Sequence, residues 1–254
     1  MTSIALLVPA FNEEKHIAQT ALVMREALDA GLVTRAVVLD GGSTDTTADI
    51  ARRLGIDVLD VATTLPELGE VLGKGDSLFR ATRTIQADWF IFLDADLGNV
   101  CIDHITAFTQ HIGEPGISFI KGGFVRVDEH GVPREIPAGR VTELVGRPLL
   151  RRVDNALAAY SQPLSGQIAI SSELARRIGF VTGFGIEIAM MIDVFRAVGL
   201  DGMMEADMGL INNRWKPDEA LSDVTEQVLA GASLRVVTMS DYGIVTHPLV
   251  HNRD

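Results

Sequence analysis

Short apolar runs rich in branched residues alternate, in the first half of the chain, with longer segments of helical period. Ile4 to Val8, Ala36 to Leu39 and Trp89 to Leu93 are such runs, and the segments between them carry apolar residues three and four positions apart. Parallel strands need long crossover connections, which helices usually supply. The alternation therefore predicts an α/β fold, with a parallel sheet covered by helices.

The second half is less regular but continues the pattern. Further strands are predicted at 57–61, 117–121, 124–127 and 167–170, and helices at 13–30, 46–54, 76–85, 141–160, 187–198 and 218–229. No internal repeat, low-complexity tract or Pro/Gly/Ser linker divides the chain. We therefore expect residues 1–125 and 126–254 to be two parts of one continuous domain.

Charge and cysteine content exclude several classes of protein. The 34 Asp and Glu against 22 Lys and Arg give a net charge of −12, whereas a sequence-independent nucleic-acid binder needs a basic face. No apolar run approaches the roughly 18 residues that span a membrane, and the first run is cut off by Pro9, too early for a signal peptide. The one cysteine, Cys101, cannot form an internal disulfide. We expect a cytoplasmic protein that binds neither nucleic acid nor membranes.

Polar residues follow three of the apolar runs directly. They occupy positions 9–14, 40–45 and 94–96 and read Pro-Ala-Phe-Asn-Glu-Glu, Asp-Gly-Gly-Ser-Thr-Asp and Asp-Ala-Asp. In an open α/β sheet, ligands bind beyond the carboxyl ends of the strands. We therefore expect the three segments to converge on one ligand-binding edge.

The carboxylates of Asp94 and Asp96, with Ala95 between them, suit a single hard cation held together with the phosphates of a ligand. Mg²⁺ and Mn²⁺ prefer oxygen ligands and tolerate an incomplete protein cage. A nucleotide diphosphate would fit this arrangement. In the alternative interpretation, one carboxylate caps the next helix and the other is solvated.

Asp40 and Lys74 are further candidates on the same grounds. Asp40 ends an apolar strand, where its carboxylate can accept hydrogen bonds from a nucleobase, although Ser43 and its neighbours also suit an ordinary turn and helix cap. Lys74 lies in a Gly-Lys-Gly loop before a helix, which suits a phosphate or a base edge. The loop is not a P-loop, because Leu68 stands where glycine is needed and neither Ser nor Thr follows the lysine.

Taken together, these segments resemble the nucleotide-sugar domain of GT-A glycosyltransferases. The resemblance implies a Rossmann-like fold, in which a mixed sheet is flanked by helices. The matching segments are 8–14, 40–45, 73–75 and 94–96. In the second half, three segments are similar to segments of the glucosyl-3-phosphoglycerate synthases. They begin at residues 139, 163 and 183 and read Gly-Arg-Val-Thr-Glu-Leu, Pro-Leu-Ser-Gly-Gln and Gly-Phe-Gly-Ile-Glu-Ile. The resemblance implies that residues 1–125 bind a nucleotide sugar and that residues 126–254 bind the acceptor.

The same resemblance implies an activity. Such an enzyme transfers glucose or a related hexose from a nucleotide diphosphate sugar, here UDP-glucose, to the 2-hydroxyl of a small phosphorylated acid such as 3-phosphoglycerate. Transfer retains the anomeric configuration without a covalent glycosyl-enzyme, requires Mg²⁺ or Mn²⁺, and is carried out by a homodimer. Two alternatives stay open: an inverting GT-A glycosyltransferase that acts on another acceptor, and a nucleotide-sugar-binding protein with weak catalysis.

Matched position by position, the resemblance assigns roles in the donor site. The residues that would hold the uridine are Pro9, Glu13, Ser43 and Lys74. Asp94 and Asp96, with Ala95 between them, would face the ribose, the diphosphate and the metal ion, and Asp96 would be the direct metal ligand.

In the acceptor site, the resemblance makes Arg140, Val141 and Thr142 the residues that bind the phosphate and the carboxylate of the acceptor. A guanidinium, backbone N–H groups and a hydroxyl at a helix start are anion receptors, although an ordinary helix start with a solvated arginine has the same sequence. Glu187 would bind hydroxyls of the donor sugar, or merely stabilise its helix N-terminus. The backbone carbonyl of Leu164 would assist the attack of the acceptor.

One segment departs from the family. Where the family usually has His-Arg-Asn, this chain reads Asn213-Arg214-Trp215. Asn213 would then be a metal ligand through its amide oxygen, which binds manganese less well than imidazole does. A tail histidine, His247 or His251, is the alternative ligand. Trp215 replaces a polar side chain near the acceptor, which leaves the identity of the acceptor open.

Overall fold

Seven strands form one sheet in the computed structural model, which describes residues 2–136, 138–212, 218–233 and 235–236. The strands are β1 (Ile4–Ala10), β2 (Arg35–Asp40), β3 (Asp57–Asp60), β4 (Trp89–Phe92), β5 (Phe119–Val127), β6 (Ile168–Ser171) and β7 (Met203–Asn212). Their order is β3-β2-β1-β4-β6-β5-β7. Strand β6 is antiparallel to both neighbours, and the other pairs are parallel. The predicted mixed sheet is confirmed.

Helices cover both faces of this sheet. In the described part of the chain they are α1 (Ile17–Asp29), α2 (Thr47–Arg53), α3 (Lys74–Thr84), α4 (Ile102–Thr109), α5 (Arg147–Arg151), α6 (Asn155–Ala159), α7 (Ser172–Arg177), α8 (Ile186–Val198) and α9 (Asp218–Ser233). Short 3₁₀ turns lie at Pro66–Leu68, Gly183–Gly185 and Leu200–Gly202, and Thr142–Gly146 forms a π-helical turn. Among these helices, none combines the length and the apolar character needed to cross a membrane.

The apolar sequence of β1 is explained by burial on both of its faces. Leu6 and Val8 pack into the core beneath α1, whereas Leu7 packs into the opposite core, which α3 and α8 complete. Successive side chains of a strand point to opposite faces, so a strand covered on both sides needs an apolar residue at each position. Each fully buried side chain of this size contributes about 1.5–3 kcal/mol.

The chain order of the strands fixes where a ligand can bind. From β1 the chain builds β2 and β3 on one side, and it returns to place β4 on the other side. The carboxyl ends of the strands are left open at such a reversal, and ligands bind in the resulting crevice. Pro9 and Asp94 stand at this edge, near the ends of β1 and β4.

Two predicted elements of the second half are wrong in extent. The strands predicted at 117–121 and 124–127 are one strand, β5, because Gly122 and Gly123 stay extended and only the register shifts there. The single helix predicted at 141–160 is broken into the π-helical turn, α5 and α6. Asp154 starts the last of these pieces, since its side chain accepts the backbone N–H of Ala156.

Strand β7 and helix α4 have no counterpart among the predicted elements. Strand β7 lies at the edge of the sheet and alternates exposed residues such as Glu205 and Asp207 with buried Ala206 and Met208. A strand of this kind has no unbroken apolar run. Helix α1 also begins at Ile17, later than predicted, because a turn precedes it in which Glu13 accepts backbone hydrogen bonds.

Candidate active site

A cleft of about 950 Å³ opens at the carboxyl ends of β1 and β4. It brings together residues predicted for the donor site, the acceptor site and catalysis. Those that line it are Pro9, Glu13, Lys74, Asp94, Ala95, Asp96, Arg140, Val141, Thr142, Leu164 and Glu187. The predicted convergence of the segments that follow β1 and β4 is therefore observed.

Two of the predicted residues that the structure describes, Asp40 and Ser43, are not among those that line the cleft. Asp40 Oδ1 accepts the backbone N–H of Ser43 at 3.1 Å, and Ser43 Oγ accepts the backbone N–H of Asn12 at 2.9 Å. These bonds fix the turn after β2 against the segment after β1. Asn213 lies outside the described residues. The ligand-binding roles of the three residues stay predictions.

Lys74 joins two carboxylates of the cleft, those of partly buried Asp94 and buried Glu187. Its Nζ donates hydrogen bonds to Asp94 Oδ1 at 2.5 Å and to Glu187 Oε1 at 2.8 Å. Burial by itself lowers the pKa of Lys74, but the two carboxylates outweigh burial and the pKa lies above its usual value. The lysine is therefore a permanent cation that holds both acids in place.

The segment around Gly166 packs directly against this group. Gln167 Nε2 donates a hydrogen bond to Asp94 Oδ2 at 2.9 Å. A Cβ atom at Gly166 would collide with Lys74 Nζ and Asp94 Oδ1, so that only glycine fits there. The Lys74–Asp94 contact thus requires glycine at position 166, and Asp94 holds the Pro-Leu-Ser-Gly-Gln segment through Gln167.

Asp94 and Asp96 both line the cleft, two residues apart, and Asp96 stays the predicted metal ligand. Both oxygens of Asp94 accept hydrogen bonds, from Lys74 and Gln167. Within the described ranges, no group of three or more His, Cys, Asp or Glu side chains is arranged to hold a metal. The carboxylates of Asp94 and Asp96 fit Mg²⁺ or Mn²⁺ bound by one or two carboxylates together with ligand phosphates.

The opposite wall carries guanidinium groups. Arg140 stands at the start of a helical segment, and Thr142, 4% exposed, begins the π-helical turn. Sequence reasoning missed Arg126, which projects from β5 into the cleft, lies next to Gly139 and donates from Nε to Gln162 Oε1 at 3.2 Å. Burial lowers the pKa of Arg126, and Asp94 offsets part of this effect. A guanidinium remains charged under such conditions.

Lys121 lies beneath the cleft and was also missed. This β5 residue is 0% exposed, and its Nζ donates a hydrogen bond to the backbone oxygen of Ser165 at 2.6 Å. Burial lowers the pKa of Lys121 to about 7, and the nearby carboxylate of Glu187 offsets only part of that effect. The sequence signal for such a residue is a lone lysine inside an apolar strand.

Known proteins are similar to this chain in sequence and in fold. Residues 5–159 match the family model of glycosyl transferase family 2. Glucosyl-3-phosphoglycerate synthase of Mycolicibacterium smegmatis is 33% identical over 248 residues, which are 95% of this chain and 80% of that protein.

Two solved structures of glucosyl-3-phosphoglycerate synthase from Mycobacterium tuberculosis are also similar. The complex with Mn²⁺, UDP and glucosyl-3-phosphoglycerate has a TM-score of 0.84 and 34% identity, over 92% of this chain and 80% of that one. The complex with Mn²⁺, UDP-glucose and glycerol 3-phosphate has a TM-score of 0.83 and 33% identity over the same shares, 92% and 80%.

The burial of Lys121 predicts a specific pH dependence of stability. Between about 7, its pKa in the folded protein, and 10.5, the ordinary pKa of lysine, the unfolded chain binds more protons than the folded protein. From pH 7 upward, the free energy of unfolding of the wild type should therefore rise relative to that of Lys121→Met, by up to about 1.4 kcal/mol per pH unit.

Urea denaturation in steps from about pH 6 to about pH 9 measures this difference. Below pH 7 both states carry the proton, and the difference between the two proteins should level off. Lys15→Met, at an exposed lysine, is the control and should show no such change. Parallel profiles for wild type and Lys121→Met would contradict the assignment.

Proposed function

Because the chain belongs to glycosyl transferase family 2 and groups with the glucosyl-3-phosphoglycerate synthases, we propose that it transfers glucose from UDP-glucose to the 2-hydroxyl of 3-phosphoglycerate. The enzyme has the GT-A fold, depends on Mg²⁺ or Mn²⁺, and retains the anomeric configuration. The observation that carries the proposal is the Asp94–Lys74–Glu187 group, which shares one cleft with the anion-binding segment that starts at Arg140.

On the donor side, carboxylates meet the hydroxyl groups of the nucleotide sugar. Asp94 accepts hydrogen bonds from the ribose and Glu187 from the glucose, while Lys74 fixes the distance between the two acids. Pro9 and Glu13 line the part of the cleft that takes the uridine. When bound at Asp96, Mg²⁺ or Mn²⁺ neutralises the charge of the departing diphosphate.

On the acceptor side, cationic and N–H groups meet the two anionic ends of 3-phosphoglycerate. Arg140, the backbone N–H of Val141 and the hydroxyl of Thr142 bind the phosphate. The carboxylate neighbours the reacting hydroxyl and must lie closer to the donor. Arg126, which adjoins Gly139 on the same wall, adds a second guanidinium for this end of the acceptor.

The reaction proceeds on one face of the sugar. The 2-hydroxyl oxygen of the acceptor bonds to the anomeric carbon as the bond from that carbon to the diphosphate oxygen breaks, and the hydroxyl proton passes to the departing oxygen. The backbone carbonyl of Leu164, which lines the cleft, accepts a hydrogen bond from the attacking hydroxyl and orients it. Holding both substrates in one cleft replaces their diffusional encounter, and no covalent glycosyl-enzyme is formed.

We further propose that the enzyme is a cytoplasmic homodimer and that residues 1–125 and 126–254 form one continuous domain. Strands from both parts join the same sheet, which supports the continuous domain. The family resemblance supports the dimer, and the single cysteine fits a reducing compartment.

The proposed reaction is tested by incubating the protein with UDP-glucose, Mn²⁺ and 3-phosphoglycerate. We expect release of UDP and formation of glucosyl-3-phosphoglycerate with an α linkage, which the anomeric proton coupling in the NMR spectrum identifies. A β-linked product would indicate an inverting enzyme. Binding of UDP-glucose without turnover would indicate a binding protein.

Asp96→Ala should remove the metal-dependent part of donor binding and catalysis. We expect turnover to fall by at least about two orders of magnitude, since charge on the departing diphosphate is no longer compensated. Calorimetric titration with UDP should lose its dependence on Mn²⁺. The control is Asp103→Ala, at an exposed carboxylate of α4, which should behave as the wild type. Unchanged turnover of Asp96→Ala would remove this residue from the metal site.

Arg140→Gln should weaken the acceptor and spare the donor. Loss of a charged hydrogen bond to the phosphate should cost about 1.5–3 kcal/mol, seen as a higher KM for 3-phosphoglycerate. The Kd of UDP, measured by calorimetry, should stay the same. Arg177→Gln is the matched control, because this half-exposed arginine of α7 is not among the residues that line the cleft. A loss of UDP affinity in Arg140→Gln would place this residue in the donor site instead.

A further inference from the structure

The loop 162–167, between α6 and β6, forms the floor of the cleft. Leu164, Ser165, Gly166 and Gln167 all line the cleft, and Gln167 holds Asp94 through its amide. In the proposed reaction this loop presents the Leu164 carbonyl to the attacking hydroxyl. A shift of the loop would therefore displace both the carbonyl and the Asp94 carboxylate.

The composition of this loop works against a fixed conformation. Gly166 must be glycine because Lys74 and Asp94 occupy the space of a side chain. Glycine has more backbone freedom than any other residue, and the loop has no helical or strand hydrogen-bond pattern before Ile168. The loop needs anchors from neighbouring elements to keep one conformation.

Strand β5 bonds to both ends of this loop. At its start, Gln162 donates to Phe124 O at 2.9 Å and accepts from Arg126 Nε at 3.2 Å. Three further bonds hold residues 165–167, next to Gly166. The backbone N–H of Gly122 donates to Gln167 O at 2.9 Å, and Ser165 Oγ donates to Gly122 O at 3.3 Å. The third bond, from Lys121 Nζ to Ser165 O at 2.6 Å, is the shortest of the three. The amine of Lys121 can donate this bond with or without its extra proton, because a neutral amine still carries N–H groups.

The burial of Lys121 at this position is unfavourable in free energy. It is 0% exposed, and burying an ammonium group costs free energy that a single carbonyl partner does not restore. Replacing a buried charged group by an apolar one of similar size is often neutral or stabilising. Core stability therefore does not account for a lysine here, whereas anchoring the loop does.

We propose that Lys121 is a positioning residue for glucosyl transfer, which fixes the loop 162–167 through the Ser165 carbonyl and so places the Leu164 carbonyl at the reacting hydroxyl. The inference rests on the proposed function. Lys121 does not touch the substrates. It acts through the peptide units that follow Leu164, and its effect falls on the orientation of the reacting groups.

The test is Lys121→Met, which keeps the length of the side chain and removes its N–H donors. We expect kcat to fall at least about tenfold, because displacements of about 1 Å at a reacting centre have effects of this size or larger. The KM of UDP-glucose and the Kd of UDP should stay within about twofold of the wild type. Hydrogen exchange of the amides in the loop 162–167, followed by mass spectrometry, should become faster.

Two further variants make the result specific. Ser165→Ala removes the longer hydroxyl bond to Gly122, at 3.3 Å, but keeps the carbonyl that Lys121 binds, and should lower kcat less than Lys121→Met does. Lys121→Gln keeps an N–H donor on a shorter side chain and should lie between the wild type and Lys121→Met. If Lys121→Met does not fold, Lys121→Gln decides the question by the same measurements.

Wild-type kcat together with wild-type exchange in the loop would overturn the proposal. A fall in kcat that matches a loss of UDP binding would also overturn it, since Lys121 would then act on the donor site as a whole. If the wild type itself forms no glucosyl-3-phosphoglycerate, the proposed function fails. The exchange measurement, which needs no substrate, still decides whether Lys121 holds the loop.

Discussion

The ammonium group of Lys74, shared between Asp94 and Glu187, is the contact on which the cleft depends. It joins the first turn of α3, the end of β4 and the first turn of α8, three elements that are far apart in the chain. Removing charged groups from water is costly, and the cost is offset here because one cation compensates two carboxylates. The spacing of the two acids is therefore set before a ligand binds, which is the preorganisation that catalysis by positioning requires.

The position of Lys74 depends in turn on a second buried cation. Arg80, also in α3, is 0% exposed and donates hydrogen bonds to Asp76 and to backbone carbonyls of the preceding loop. These carbonyls belong to Thr64, Leu65, Gly69 and Glu70. The loop contains only one short 3₁₀ turn and therefore few backbone hydrogen bonds of its own. The guanidinium of Arg80, with five N–H donors, binds the loop carbonyls instead. Arg80 thereby fixes where α3, and with it Lys74, begins.

The two walls of the cleft differ in the charge of their side chains. The donor wall is built around acids, which accept hydrogen bonds from sugar hydroxyls and hold a cation against a diphosphate, as Asp94, Asp96 and Glu187 do in the proposed reaction. The acceptor wall carries Arg126 and Arg140, which suit a small ligand with two anionic ends. A protein with a net charge of −12 can bind anionic substrates because their recognition depends on these local groups and not on the overall charge.

The sequence by itself determined the sheet of the first half and the Asp-Ala-Asp motif at the end of β4, because a strand buried on both faces leaves an unbroken apolar run with its polar end visible. It also marked Lys74 and Glu187, but not their contact, since these residues are 113 positions apart. Only the tertiary structure revealed Lys121 and Arg126 as parts of the site, because a polar residue inside a strand gives no periodic signal. The helix predicted at 141–160 is interrupted because Asp154 is extended and its side chain accepts the backbone N–H of Ala156, which starts a new helix. Local patterns fix which segments become strands, and long-range packing decides which side chains meet.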